Sequence, residues 1–135
     1  MKTTVTIVRV FLGLLLVVFG LNGFFGFLPQ PPPPAAGGEF LGALMAGGVM
    51  SVVKVFEVVI GALLLSGRFV PLALVMLVPI AVGIVLYHVQ FDLAGGVGAY
   101  LVAAMLAGLL WGYRGSLMPL LVTRAVPLAD RPALA

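Results

Sequence analysis

The sequence predicts an all-α membrane protein, an antiparallel bundle of four transmembrane helices with both termini cytoplasmic. Composition is the first reason. Of 135 residues, 63% are hydrophobic and only 8% charged, and the mean hydropathy is +1.30. Soluble domains carry about 25% charged residues, so a soluble fold of this chain would lack polar side chains to cover its surface. The second reason is the recurrence of apolar runs of about 20 residues, the length that crosses a hydrocarbon core of about 30 Å at 1.5 Å per residue. The third is the placement of charge. Lys2 and Arg9 precede or open the first run, Arg68 lies between the second and third, and Arg114, Arg124 and Arg131 follow the fourth. Glu39 and Asp92 lie in the other two connections. Every flank with a cation is thus on one side, which the positive-inside rule makes cytoplasmic.

The same composition excludes other classes. The net charge of +3 is spread over scattered residues, with no cluster suited to a phosphate backbone, so nucleic acid is not an expected partner. Cysteine is absent, which removes disulfides and thiol chemistry. With a single histidine, no protein metal site is expected.

The first helix is predicted over about residues 5–27. Its basic start and apolar core resemble a signal peptide, but the apolar character continues to Leu28, and the small residues near Ala35 lie far from that core. A retained span follows. Arg9, Gly13, Leu16, Gly20 and Gly23 repeat at heptad-like spacing, and the glycines would let another helix approach closely. Residues 29–38 are rich in proline, predicting a stiff polyproline connector outside the hydrocarbon. Glu39 would favour a helix start by its negative charge. Residues 39–48 are then either an interfacial segment or the first turns of the second helix.

The second helix is predicted over 49–66, and Gly67-Arg68 leaves room only for an antiparallel hairpin. The third covers 69–90, with Pro71 tolerated in its first turn and Pro79 expected to kink its middle. The fourth covers 97–113, with a small-residue surface of Ala99, Ala103, Ala104, Ala107, Gly108 and Gly112. Trp111 and Tyr113 read as interfacial anchors, as do Arg9, Arg68 and Arg114. The bundle domain is taken as residues 1–124, and 125–135 as a mobile cytoplasmic tail.

The chemically unusual residues lie in the second helix. Lys54 and Glu57 stand about 18 Å and 13 Å in from Ser66, near mid-bilayer. A charge at that depth costs about 2.5–3.5 kcal/mol on insertion scales, so compensation is required. At a spacing of three the two share a helix face, and the cheapest compensation is each other. Gly47, Met50, Lys54, Glu57, Gly61 and Leu64 form one seam, which should face the bundle. Asn22, His88 and Tyr100 are expected at similar depth or at the nearby mouth, giving a candidate polar cluster of Asn22, Lys54, Glu57, His88 and Tyr100. Against that cluster, Asn22 stands about 200° from Gly20 on the helical wheel, so both cannot face one neighbour.

Arg9-x-x-x-Gly13 opens the first helix, and the block Lys54-x-x-Glu57-Val-x-x-Gly61-x-Leu-Leu-Leu-x-x-Arg68-Phe-x-Pro71-Leu-Ala-Leu74 follows. With Pro79 and His88 beyond it, this pattern resembles the DoxX family, over about residues 7–120. The resemblance implies a small four-helix protein of the bacterial inner membrane without a demonstrable reaction of its own. Through the link to a DoxD-type subunit of thiosulfate:quinone oxidoreductase, it also implies a quinone-linked or redox-associated role. A quinone is then the cofactor to expect, and the partners are the bilayer, a membrane or peripheral oxidoreductase subunit and further copies of the chain in a homo-oligomer. The alternatives are a non-catalytic scaffold or anchor subunit and a small transporter. Inverted repeats and broken helices are not evident in the sequence, apart from Pro79, which disfavours the transporter.

Overall fold

A computed structural model describes residues 2–121 and Thr123. The expected tail over 125–135, with Arg124 and Arg131, lies outside the described residues. All regular structure among the described residues is helical: α1 (Lys2–Phe25), α2 (Ala35–Ala46), α3 (Val49–Ser66), α4 (Val70–Phe91), α5 (Val97–Gly112) and α6 (Arg114–Leu117), followed by a 3-10 turn at Met118–Leu121. Three helices, α1, α3 and α4, are each long and apolar enough to cross a membrane. A fourth crossing results if α5 and the segment after its 76° bend count as one span.

The outward faces of these helices are as apolar as the inward ones. Phe11, Leu14, Val18, Val52, Val55, Val59, Leu72, Val75, Val82 and Leu86 are all exposed. A helix that is apolar all round needs an apolar solvent, so the chain is a multi-pass membrane protein. Its buried core is small, built from Leu12 and Leu16 of α1, Ile60 and Leu64 of α3, Ala73, Leu74, Leu77 and Ala81 of α4, and Leu106 and Leu109 of α5. The recurrence at three and four residues is the inward stripe of each helix.

Helix α1 runs antiparallel to α3 along a glycine seam. A Cβ at Gly13 would meet Gly61 O at 3.0 Å, one at Gly20 would meet Lys54 O at 3.1 Å, and one at Gly61 would meet Gly13 O at 2.8 Å. Backbone thus lies nearly on backbone, which is how membrane helices associate when lipid removes the hydrophobic contrast. The glycine spacing read from the sequence describes this contact. Helix α4 packs on α3 and α5, and α5 also packs on α1.

The connections follow local chemistry. Gly67 closes α3 in the left-handed region (φ 71°) with its N–H on Leu64 O, and Phe69 also has a positive φ of 55°. The hairpin between α3 and α4 is therefore as tight as expected. The segment 39–48 is not the start of the helix that follows. Residues 39–46 belong to a separate short helix, α2, which already starts at Ala35, so the proline connector is shorter than 29–38. Pro34 (φ −54°, ψ 151°) sits before the first helical residue, where its lost N–H costs nothing, and two alanines follow. Gly48, in the left-handed region at φ 74°, then breaks α2 from α3. Helix α4 continues through Pro79 from Val70 to Phe91.

Candidate functional site

Glu57 is the buried charged residue among the described residues, and α3 brings it beside its predicted partner. Lys54 Nζ donates to Glu57 Oε2 at 2.8 Å, with side chains 22% and 4% exposed. The carboxylate is therefore inside, while the ammonium reaches the edge. The position of Lys54 is fixed from α1, because a Cβ at Gly23 would meet Lys54 Cγ and Cδ at 2.6 Å. Only a glycine lets the lysine stem lie there.

A cleft of about 160 Å³ is lined by Gly23, Met45, Met50, Ser51 and Lys54. It joins α1, the end of α2 and the first turns of α3. Its lining residues include a lysine paired to Glu57, a serine and two methionines with soft, adaptable thioethers. An ammonium with one hydrogen held by Glu57 keeps two more to donate. The chemistry available is hydrogen-bond donation to an acceptor on a lipophilic molecule.

The other three candidates do not join this pair. Among the described residues, Asn22, His88 and Tyr100 make no hydrogen bond or ion pair with Lys54 or Glu57. Asn22 turns to the end of its own helix, where Oδ1 accepts from Leu28 N at 2.6 Å and Nδ2 donates to Leu28 O at 3.3 Å. It ties down the chain just after α1, away from the neighbour that Gly20 meets. His88 and Tyr100 meet at the α4–α5 turn. His88 Nδ1 lies 3.3 Å from Asp92 O and 3.8 Å from Asp92 Oδ2, and Tyr100 donates to Leu93 O at 3.2 Å. Gly96 is wedged between them, since a Cβ there would meet Tyr100 Oη at 2.6 Å and His88 Cβ at 2.8 Å. The predicted five-residue cluster is thus a pair, a cap and a turn.

The anchors also divide. Arg9 Nη1 donates to Leu64 O at 3.0 Å, and a Cβ at Gly67 would meet Nη1 at 2.5 Å. Arg9 caps the negative end of α3, a role beyond topology. The Arg68 backbone N–H is held by Ser66 Oγ at 3.1 Å. Trp111 is 71% exposed, and the Arg114 guanidinium sits 4.7 Å above its ring while donating to Trp111 O at 2.9 Å. That pairing suits a membrane interface. Tyr113 instead packs against the core.

Sequence reasoning missed the seat of α2. A Cβ at Gly37 would meet Tyr87 Oη at 2.7 Å and Phe91 Cβ at 3.1 Å. Phe40 stacks on both rings, at centroid distances of 6.2 Å to Tyr87 and 5.6 Å to Phe91. Tyr87 Oη is buried with no hydrogen-bond partner among the described residues. The alanine pair before Gly37 was the available signal for a helix here, but the four prolines masked it.

Comparison of the chain with models of protein families, with curated proteins and with solved structures returns no match.

Proposed function

We propose that the chain is a DoxX-type protein of the bacterial inner membrane, an antiparallel four-helix bundle with both termini cytoplasmic, which holds the ring of a lipid-soluble quinone at Lys54 for a partner oxidoreductase. It supplies no redox centre and no reaction of its own. The orientation is supported by Lys2, Arg9, Arg68 and Arg114, which flank one set of helix ends, against Glu39 and Asp92 at the other. The family reading is supported by the block from Lys54 to Leu74.

The observation that carries the functional reading is that Lys54, its side chain 22% exposed, lines a cleft and is paired to a buried Glu57. Complete ligand pockets measure about 300–1,000 Å³. A cleft of about 160 Å³ suits a ring whose tail remains in lipid. Because Glu57 neutralises Lys54, the site favours a neutral carbonyl acceptor over an anion. The test uses the double replacement Lys54→Met and Glu57→Leu, which removes the donor without leaving a lone buried charge. Wild-type and double-variant protein are reconstituted in nanodiscs containing ubiquinone, and retained quinone is extracted and quantified. Loss of one charge-assisted hydrogen bond, worth at least about 1.5 kcal/mol, predicts about a tenfold fall in retention. Equal retention by a folded double variant refutes the quinone site.

The packing of the lysine stem against Gly23 favours a second reading, a non-catalytic scaffold or anchor subunit in which the pair only holds α1 and α3 in register. Under it, the double variant keeps its fold and retains as much quinone as the wild type. The small-transporter reading can draw on the 76° bend after α5, but it has less support because no inverted repeat is evident in the sequence.

A further inference from the structure

Helix α2 differs from the other long helices in how little holds it. It buries one residue, Gly37, and hangs between the proline connector and the Gly47-Gly48 break. Its first turns rest on Tyr87 and Phe91 through Gly37 and Phe40. Its last turn supplies Met45, a wall of the cleft that Lys54 also lines. One short helix therefore touches two places, an aromatic seat on α4 and the cleft on α3.

The seat carries an internal penalty. With α2 down, Tyr87 Oη is shut away without a partner, and buried hydroxyls are normally bonded. Lifting α2 gives that hydroxyl access to water or a lipid headgroup. The seated form is therefore held by aromatic stacking and opposed by the hydroxyl. A helix balanced in this way, with a left-handed glycine at one end, has the parts of a two-position element.

We infer that α2 is a latch on the Lys54 cleft: seated on Tyr87 it holds Met45 as a wall beside the ammonium, and released it opens the ammonium to a carbonyl-bearing molecule from the lipid. Rotation about Gly47-Gly48 couples the two ends. Tyr87 and Gly37 are positioning residues, acting on the cleft through α2. The purpose assigned to the latch builds on the proposed quinone site, but its movement is tested without any quinone, so the two fail separately.

The chain has two lysines, Lys2 and Lys54, and Lys2 is exposed. Acetic anhydride acetylation of the full chain in nanodiscs, read by mass spectrometry, thus reports the cleft at Lys54 with Lys2 as reference in the same molecule. Tyr87→Phe removes the buried hydroxyl and favours the seated form, so Lys54 acetylation relative to Lys2 slows about three- to tenfold. Gly37→Ala places a Cβ 2.7 Å from Tyr87 Oη and unseats α2, so acetylation speeds up. Combined, the two changes move part of the way back toward wild type, because the 2.7 Å contact is gone and the nearest atoms left, Phe91 Cβ and the ring Cζ, stand 3.1 and 3.3 Å from the new Cβ. Opposite signs with partial mutual rescue support the latch. Rates that are unchanged, or that shift in the same direction, overturn it. Should Gly37→Ala not fold, Tyr87→Phe alone decides: a slower rate supports the latch and any other result overturns it.

Discussion

Gly61 is the position at which one methyl group reports on the whole α1–α3 contact. A Cβ there would stand 2.8 Å from Gly13 O and 2.9 Å from Val17 N, and 2.7 Å from Val17 Cγ2. The valine methyl can turn aside, but the two backbone atoms cannot. Ordinary contact begins near 3.4 Å, so the helices must separate by about 0.6 Å (3.4 − 2.8). A gap of that size forfeits about a quarter to a half of each contact along the seam. Overpacking of this kind costs about 1–3 kcal/mol. Gly83 is the control, because nothing lies within 4 Å of its Cβ position. Gly83→Ala is expected to be neutral or to stabilise by about 0.5–1 kcal/mol through helix propensity. The two alanine variants should therefore differ by about 1–4 kcal/mol in an unfolding titration in mixed micelles, followed by the fluorescence of the single tryptophan, Trp111. Equal stability of Gly61→Ala and Gly83→Ala would refute the close approach of α1 and α3.

Two further outcomes follow from the polar contacts. Lys54→Met leaves a carboxylate that is 4% exposed without its partner and should cost about 3 kcal/mol, whereas Lys54→Met with Glu57→Leu should lie within about 1 kcal/mol of wild type. A double-mutant cycle on the same titration measures this, and strictly additive effects would sink the coupling. Asn22→Ala removes both bonds to Leu28 and should cost about 1–2 kcal/mol while leaving quinone retention unchanged. A fall in retention as large as that of the double variant would return Asn22 to the polar cluster.

The parts legible in the sequence were those written as spacing within one helix. Lys54 and Glu57 meet because three residues are most of a turn, and Gly13 and Gly20 line one face because seven residues are nearly two. Helix α3 is predicted and observed over the same residues, bounded by Gly48 and Gly67. The illegible parts depend on where a side chain turns once its helix ends. Asn22 prefers the free backbone of Leu28 at 2.6 Å over a distant charge, and His88 prefers its own turn. Depth along the membrane placed these residues at one level, but level does not fix azimuth. Helix α2 was hidden because five prolines dominate the reading of 29–38, although a proline is welcome just before a helix. Its seat on Tyr87 joins residues 50 positions apart (87 − 37), for which no local pattern exists.

The bond from Arg9 to Leu64 has a consequence for biogenesis. The carbonyl that receives Arg9 is made 55 residues after it. While the ribosome adds those residues, the first segment carries a guanidinium without its eventual acceptor and is drawn toward the headgroups and the water at its own end. It can settle at full depth only when the end of α3 arrives beside it. Arg9 and the end of α3 therefore satisfy each other only once both helices stand side by side, which ties the final depth of α1 to the arrival of α3.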